Sequence, residues 1–258
     1  LIQQFFIYVN NVFHGNLGRS FNQYPRLVSD ILAQSLPWTI AIQLPSLIIG
    51  WIVGNILGAV AAYRKGIFDR IIFPLSLFFS SIPVFVLALL MKYYLGVYAH
   101  WFPMQGAYDA ELMPSATFTF YWSLFRHWQL PFLATCLVMI GGQAIGMRSM
   151  SLYELNADYV LYAKLLGIPE NKITKYVFKN AVLPQITGLA LSLGTMISGA
   201  LITEIVFSYP GIGTQLVNAI HNVDYTLISG CTLFISITAL IANFTIEIIY
   251  GLIDPRIR

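Results

Sequence analysis

The sequence predicts an all-α fold, a polytopic membrane helical bundle. Of its 258 residues, 57% are hydrophobic and only 10% are charged, whereas soluble domains average about 45–50% apolar and about 25% charged residues. The apolar residues form runs much longer than a barrel strand, and none of these runs alternates with a period of two. Both features favour a bundle of membrane-spanning helices.

Long apolar runs place the individual spans, because about 20 helical residues cross the hydrocarbon core of a bilayer. Runs of this length predict five spans, at residues 38–63, 71–95, 130–147, 184–207 and 226–250. Residues 38–258 therefore form the predicted transmembrane domain. Residues 1–37 are less apolar and form a separate N-terminal segment.

Basic residues flank these spans unevenly. Most of the 14 Lys and Arg residues lie in the short loop 64–70, in the long loop 148–183 or at the C-terminus. Because Lys and Arg accumulate on the cytoplasmic side, both loops and the C-terminus are predicted to be cytoplasmic. Five crossings then make residues 1–37 extracytoplasmic. The first residue is Leu rather than Met, and we expect an upstream portion with a sixth, N-terminal span.

Small residues at intervals of four predict close helix packing in two spans. Gly50, Gly54 and Gly58 repeat in the first, and Ala190, Gly194 and Ser198 in the fourth. Such repeats let helix backbones approach closely. The partner helix belongs either to this chain or to a second, similar subunit, and the sequence leaves both alternatives open.

Prolines at 45, 74 and 83 interrupt the first two spans. Such interruptions are tolerated where neighbouring groups satisfy the freed carbonyls, and they often mark bends around a cavity. Ser80, Ser81 and Pro83 are the best candidates for a bend beside a translocation pathway, and Ser198 is a further candidate for the pathway. A plain kink with a packing role is the alternative.

Two carboxylates lie within predicted spans, where ionisable groups are costly and suggest function. Glu204 lies near the outer end of the fourth span and Glu247 near the inner end of the fifth. A carboxylate near an interface can reach water. We therefore expect a structural or capping role for Glu247 and a role in gating or loop positioning for Glu204.

Signatures of enzymes and cofactor sites are not found in the sequence. It contains no Walker loop, no dinucleotide-binding glycine fingerprint and no HExxH motif, and its His and Cys residues lack ligand spacing. We predict no catalytic residue, no metal site, no bound cofactor and no nucleic-acid partner. Any energy source must come from elsewhere.

The long loop 148–183 is a polar island in an otherwise apolar chain. Its lysines alternate with apolar residues, so that an apolar face survives within a charged loop. A solvated linker does not need such a face. The pattern therefore predicts that a soluble partner contacts the protein from one side of the bilayer.

Four blocks of sequence, taken together, resemble a known family. They are Gly-Asn-Leu-Gly-Arg-Ser-Phe at 15–21, the loop segment 158–184, Glu-Ile-Val-Phe-Ser-Tyr-Pro-Gly-Ile-Gly at 204–213 and Asp-Pro-Arg-Ile-Arg at 254–258. The chain resembles the inner-membrane permease subunits, of the B type, of dipeptide, oligopeptide and nickel ABC importers. The order of the blocks agrees with that family from about residue 12 to the end.

This resemblance implies a type I importer in the inner membrane of a prokaryote, with six spans in each subunit of this type. It implies a second homologous permease, two cytoplasmic ATPase subunits that bind ATP and Mg, and an extracytoplasmic substrate-binding protein. The coupling loop would contact the ATPases through residues matching the family motif and its neighbours: Asp158, Leu161, Tyr162, Ala163, Lys164, Gly167, Leu183 and Pro184. The motif begins Glu-Ala-Ala in the family, and here Leu161 and Tyr162 replace its first two residues.

Di- or oligopeptides are the expected substrates of such a permease, with oligosaccharides or nickel chelates as the alternatives that close relatives carry. A different class of function also stays open. A self-sufficient channel or ion-coupled carrier would use Glu204 and Glu247 as ion-handling groups. It would transport without any ATPase.

Overall fold

The computed structural model describes residues 2–64 and 66–253, except for the side chains at positions 187, 190, 194, 195, 197–199, 242, 246, 247 and 249–253. This part of the chain is largely helical, which confirms the predicted fold class. Residues Lys92–Tyr98 continue the fourth helix as a π-helical segment. The α-helices are α1 (Ile2–Phe13), α2 (Val28–Tyr63), α3 (Ile67–Ser81), α4 (Val84–Met91), α5 (Phe118–Leu155), α6 (Asp158–Leu165), α7 (Glu170–Val206), α8 (Ile212–His221) and α9 (Tyr225–Ile253).

The long helices alternate in direction: α2, α5 and α9 run one way, and the α3–α4 pair and α7 run the other. At one end of the bundle, the Tyr63 hydroxyl of α2 donates to the Thr174 carbonyl oxygen near the start of α7 at 3.0 Å. At the opposite end, Lys92 Nζ donates to the Val206 carbonyl oxygen in the last turn of α7 at 2.6 Å. We call these the α6 end and the α8 end, after the short helices found there.

Three described helices are both long and apolar enough to cross a membrane, namely Val28–Tyr63, Phe118–Leu155 and Tyr225–Thr245. A fourth crossing results if Ile67–Ser81 and Val84–Tyr98 are counted as one span bent by 100°. The fourth predicted span, 184–207, lies in the second half of α7.

Several helices extend well beyond the apolar runs that predicted them. Helix α2 begins at Val28 rather than at residue 38, α5 at Phe118 rather than 130, and α7 at Glu170 rather than 184. Hydropathy marks only the lipid-immersed part of a helix, whereas backbone hydrogen bonding continues through its polar turns. The segment 148–183 is therefore not an irregular loop, because the end of α5, all of α6 and the first turns of α7 occupy most of it.

Helix α2 packs along α5 through the predicted glycine seam. A Cβ atom added at Gly50 would lie 2.6 Å from Met139 Cβ, and one at Gly54 would lie 2.6 Å from Gln143 Cβ. Gly58 approaches the α5 backbone more closely still. The partner helix of this seam therefore belongs to this chain and not to a second subunit, which was the other alternative. The second repeat, Ala190, Gly194 and Ser198, lies in α7 at positions whose side chains are not described, so its packing stays a prediction.

Pro45 does not interrupt α2, because a side chain from α5 replaces the hydrogen bond that the proline cannot make. Proline lacks the N–H that would bond to the carbonyl four residues earlier, which here belongs to Ala41. Trp128 Nε1 donates to that carbonyl oxygen at 2.7 Å. The proline and the tryptophan together therefore hold α2 against α5.

Pro83 coincides with the sharp bend of the second predicted span. Helix α3 ends at Ser81, and α4 begins after Pro83 at an angle of 100°. Gly141 of α5 lies against this bend, since an added Cβ would be 2.7 Å from the Ser76 carbonyl oxygen and 2.8 Å from Ser80 N. The Ser80 hydroxyl donates to the Leu77 carbonyl oxygen within α3 at 3.0 Å. The role of the bend in a pathway stays a prediction.

Candidate functional site

Helix α6 is a short helix whose two ends are well defined. Asp158 lies in its first turn and Lys164 in its last, where each charge is favourable toward the helix dipole. Gly167 follows with φ +71°. The N–H of Gly167 donates to the Lys164 carbonyl and that of Ile168 to the Ala163 carbonyl, both at 3.0 Å. This is a Schellman ending, and its left-handed position favours glycine.

One face of α6 is buried against the start of α7. Val160 and Ala163 form an apolar cluster with Ile173 and Val177, and all four are buried. Tyr63 of α2 packs against the same cluster. Because these contacts join α2, α6 and α7, a force applied to α6 reaches two long helices directly.

Glu154, in the last turn of α5, adds a polar link beside this cluster. The Tyr159 hydroxyl of α6 donates to Glu154 Oε2 at 2.8 Å, and Asn180 Nδ2 of α7 donates to the same oxygen at 3.5 Å. Burial raises the pKa of Tyr159, and its hydrogen bond to the carboxylate raises it further. Three helices therefore meet at one carboxylate, which fixes the orientation of α6.

The opposite face of α6 is apolar and exposed. The exposed fractions are 57% for Leu161, 64% for Tyr162, 74% for Leu165 and 79% for Leu166. Single exposed apolar residues are common, but a contiguous exposed patch indicates an interaction site. We call these four residues the α6 surface.

The predicted coupling residues are distributed over two elements. Five of them lie in α6, and Gly167 forms the turn that follows. Ala163 is buried and supports the helix rather than its outer face. Leu183 and Pro184 lie in the interior of α7, which continues through the proline. The sequence had suggested that these two residues end the loop, but they lie within a continuous helix.

Glu204 lies at the α8 end and is fully buried. The expectation that its carboxylate reaches water was wrong, because α8 folds back over it. The N–H groups of Gly213 and Thr214 donate to Glu204 Oε2 at 2.8 and 3.3 Å, and the Thr39 hydroxyl donates to Oε1 at 2.6 Å. The N–H of Ile212 donates to Thr39 Oγ1 at 3.0 Å.

These contacts cap the N-terminus of α8 from two other helices. The first N–H groups of a helix have no partner within it, and here Glu204 of α7 and Thr39 of α2 accept three of them. Gly211 precedes the helix, and a Cβ at that position would collide with the Glu204 carboxylate. Glu204 therefore holds the N-terminus of α8 against α7 and α2, and its role in gating or loop positioning stays a prediction.

Asp224 is a second buried carboxylate at this end, and the sequence analysis missed it. Its Oδ1 accepts the N–H of Leu227 in the first turn of α9, and its Oδ2 accepts the Ser20 hydroxyl and the Asn22 N–H. Burial alone would raise the pKa of Asp224, but these hydrogen bonds outweigh it and the pKa is lowered. An Asp directly before a long apolar run is a helix N-cap signal that could have identified this residue.

Arg148 and Asp69 form an ion pair at the α6 end, which the sequence also did not reveal. Arg148 Nε and Nη2 donate to the two oxygens of Asp69 at 2.6 and 2.7 Å. The guanidinium carbon also lies 4.4 Å from the centre of the Phe73 ring. This paired geometry ties the start of α3 to α5.

Known membrane transport proteins are similar in sequence to this chain. A family model described as the inner membrane component of binding-protein-dependent transport systems matches residues 54–258. The dipeptide transport system permease DppB of Lactococcus lactis subsp. cremoris is 30% identical, over 100% of this chain and 81% of that protein. The DppB of Bacillus subtilis is 32% identical over 100% and 80%.

A third relative agrees with these two. The di/tripeptide transport system permease DppB of Pseudomonas aeruginosa is 31% identical, over 100% of this chain and 81% of that protein. These matches argue against the alternative function as a self-sufficient channel or ion-coupled carrier. The chain belongs to the family of inner membrane components of binding-protein-dependent transport systems, and it is a multi-pass permease subunit of an ABC importer.

Proposed function

We propose that this permease imports di- or oligopeptides and that the α6 surface is where an ATPase subunit drives it. The exposed apolar patch of Leu161, Tyr162, Leu165 and Leu166 is the observation that carries the proposal. This sequence has no Walker loop of its own, and we propose that partner subunits supply the energy. The ATP and Mg sites therefore belong to separate partner subunits.

The assembly comprises this permease, a second homologous permease, two ATPase subunits and a substrate-binding protein. The excess of Lys and Arg at the α6 end supports a cytoplasmic location for that end and for the C-terminus. The α8 end then faces the binding protein. Peptides are favoured over oligosaccharides and nickel chelates because the similar permeases named above are dipeptide or di/tripeptide transporters.

Coupling follows from the contacts of α6. When the ATPases close, the α6 surface moves with them, and the cluster around Val160 and Ile173 transmits the displacement to α2 and α7. The tight turn at Gly167 keeps α6 and α7 at a fixed angle. Tilting of these helices as rigid bodies then exposes the pathway to alternate sides of the membrane.

A charged substitution in the α6 surface tests this proposal. Leu165→Glu should reduce ATP-driven peptide uptake into proteoliposomes by roughly 10-fold or more, since the loss of an apolar hot-spot residue at the centre of an interface costs about 2 kcal/mol. Met113→Glu is the control, because Met113 is 85% exposed in the segment between the π-helical residues and α5. Equal uptake by both variants would contradict the proposal.

Gly167 offers an independent test of coupling. No atom lies within 4 Å of an added Cβ, so that only the positive φ opposes a larger residue. Gly167→Val should uncouple ATP hydrolysis from uptake while the protein still folds. Unchanged uptake at an unchanged rate of hydrolysis would refute the role of the turn.

Substrate identity needs a separate measurement. Mass spectrometry of the ligand that copurifies with the cognate binding protein should reveal short peptides. An oligosaccharide or a nickel chelate would overturn the substrate assignment and leave the coupling role of α6 intact.

A further inference from the structure

Three lysines occupy one face of α7 in its first turns. Lys172, Lys175 and Lys179 are all exposed. At about 100° per residue they fall within an arc of about 60° around the helix axis. Tyr176, which is 50% exposed, lies beside this arc. We call Lys172, Lys175 and Lys179 the lysine face.

The lysine face points away from the rest of the bundle. Ile173 and Val177, which pack against α6, are buried on the other side of the helix. Within the described part of the chain, the salt bridges are those of Arg148 with Asp69 and of His127 with Asp109. The three ammonium groups are therefore not neutralised by any described carboxylate.

The same face becomes apolar farther along the helix. Ile186 and Leu193 fall within the same arc by helical periodicity, and they are 40% and 38% exposed. They lie in the predicted span 184–207. A surface that is basic in its first turns and apolar in the following ones has the two-part chemistry of a phospholipid, with an anionic headgroup and acyl chains.

We propose that the lysine face binds the headgroups of anionic phospholipids, while the acyl chains lie along Ile186 and Leu193. The α6 surface lies on the side of α7 that carries Val177, so the lysine face is separate from the proposed ATPase contact. Lysines near an anionic membrane surface contribute about 1 kcal/mol each, or about 5-fold in affinity. Removing all three should reduce the preference for anionic lipid by on the order of 100-fold.

Photo-crosslinking from position 176 tests the proposal. Tyr176 is replaced by p-benzoylphenylalanine, and the assembled transporter is reconstituted in vesicles of phosphatidylcholine with about 30% phosphatidylglycerol. After irradiation, mass spectrometry identifies the crosslinked molecule. We expect phosphatidylglycerol to be strongly enriched over its share of the bilayer, and the enrichment to fall with added salt.

Matched variants separate the lysine face from a general charge effect. Lys175→Gln should reduce this enrichment, expressed as the ratio of phosphatidylglycerol to phosphatidylcholine crosslinks, about 5-fold. Arg70→Gln, which removes one exposed charge from α3 at the same end of the bundle, should leave the enrichment unchanged. The triple variant of Lys172, Lys175 and Lys179 to Gln should abolish it. Crosslinks to an ATPase subunit instead of lipid, or equal enrichment in the triple variant, would overturn the proposal.

Discussion

Removal of the Glu204 carboxylate should destabilise the α8 end of the bundle. Glu204→Ala leaves two backbone N–H groups of α8 and the Thr39 hydroxyl without their acceptor. A buried donor left unpaired costs about 1–3 kcal/mol, and the loss of a helix cap costs about 0.5–2 kcal/mol. The hydroxyl can rotate toward another acceptor, and the desolvation cost of the carboxyl group itself disappears. The net loss should therefore be roughly 2–4 kcal/mol.

Thermal unfolding of the purified permease in detergent measures this loss. For a chain of this size about 1 kcal/mol corresponds to about 2–4 °C in Tm, so Glu204→Ala should lower Tm by roughly 4–16 °C. Glu111→Gln is the control, because Glu111 is exposed. The reasoning is refuted if Glu204→Ala unfolds within about 2 °C of the control.

Three further substitutions test other parts of the structure in the same assay. Gly54→Ala places a Cβ against α5 and should cost about 1–3 kcal/mol, whereas Gly142→Ala, which meets nothing within 4 Å, should be neutral or stabilising. Trp128→Phe leaves a backbone carbonyl unpaired and should cost about 1–2 kcal/mol, unlike Trp101→Phe, whose ring is exposed. Asp224→Asn should lower Tm at neutral pH, with the difference from the native protein shrinking as the pH falls below about 4.

The sign of the Asp224 effect follows from its lowered pKa. The carboxyl group takes up a proton less readily in the folded chain than in the unfolded one. Its stabilisation is therefore complete above the unfolded pKa of about 3.9 and is lost as the pH falls through the folded value. A difference in Tm that grew on acidification would contradict this assignment.

The fold class and the presence of apolar residues within the charged segment 148–183 could be predicted because both depend on local sequence. Apolar runs identify membrane helices wherever their partners lie, and the residues around Gly167 define the end of α6 by themselves. The limits of the helices were less accurate. The first turns of α2 mix apolar and polar residues, and those of α7 carry several charges. Neither forms the continuous apolar run from which a span was predicted.

The burial of the two carboxylates could not be predicted because their partners are remote in sequence. Glu204 meets Thr39 across a separation of 165 residues, and Asp224 meets Ser20 across 204. Their burial depends on how α8 folds back over α7 and α2. The ion pair of Arg148 and Asp69 could not be predicted either. Each residue alone resembles an ordinary charge next to a membrane-spanning helix.

Site-directed crosslinking from the α6 surface tests the central claim most directly. A single photoreactive residue at position 165 or 166 should crosslink to an ATPase subunit in the assembled transporter, with a yield that changes on ATP binding. The same residue at position 113, in the segment before α5, should not crosslink to an ATPase subunit. Absence of ATPase crosslinks from α6 in an actively transporting complex, or labelling of α6 by a membrane-impermeant reagent added outside cells, would contradict the account.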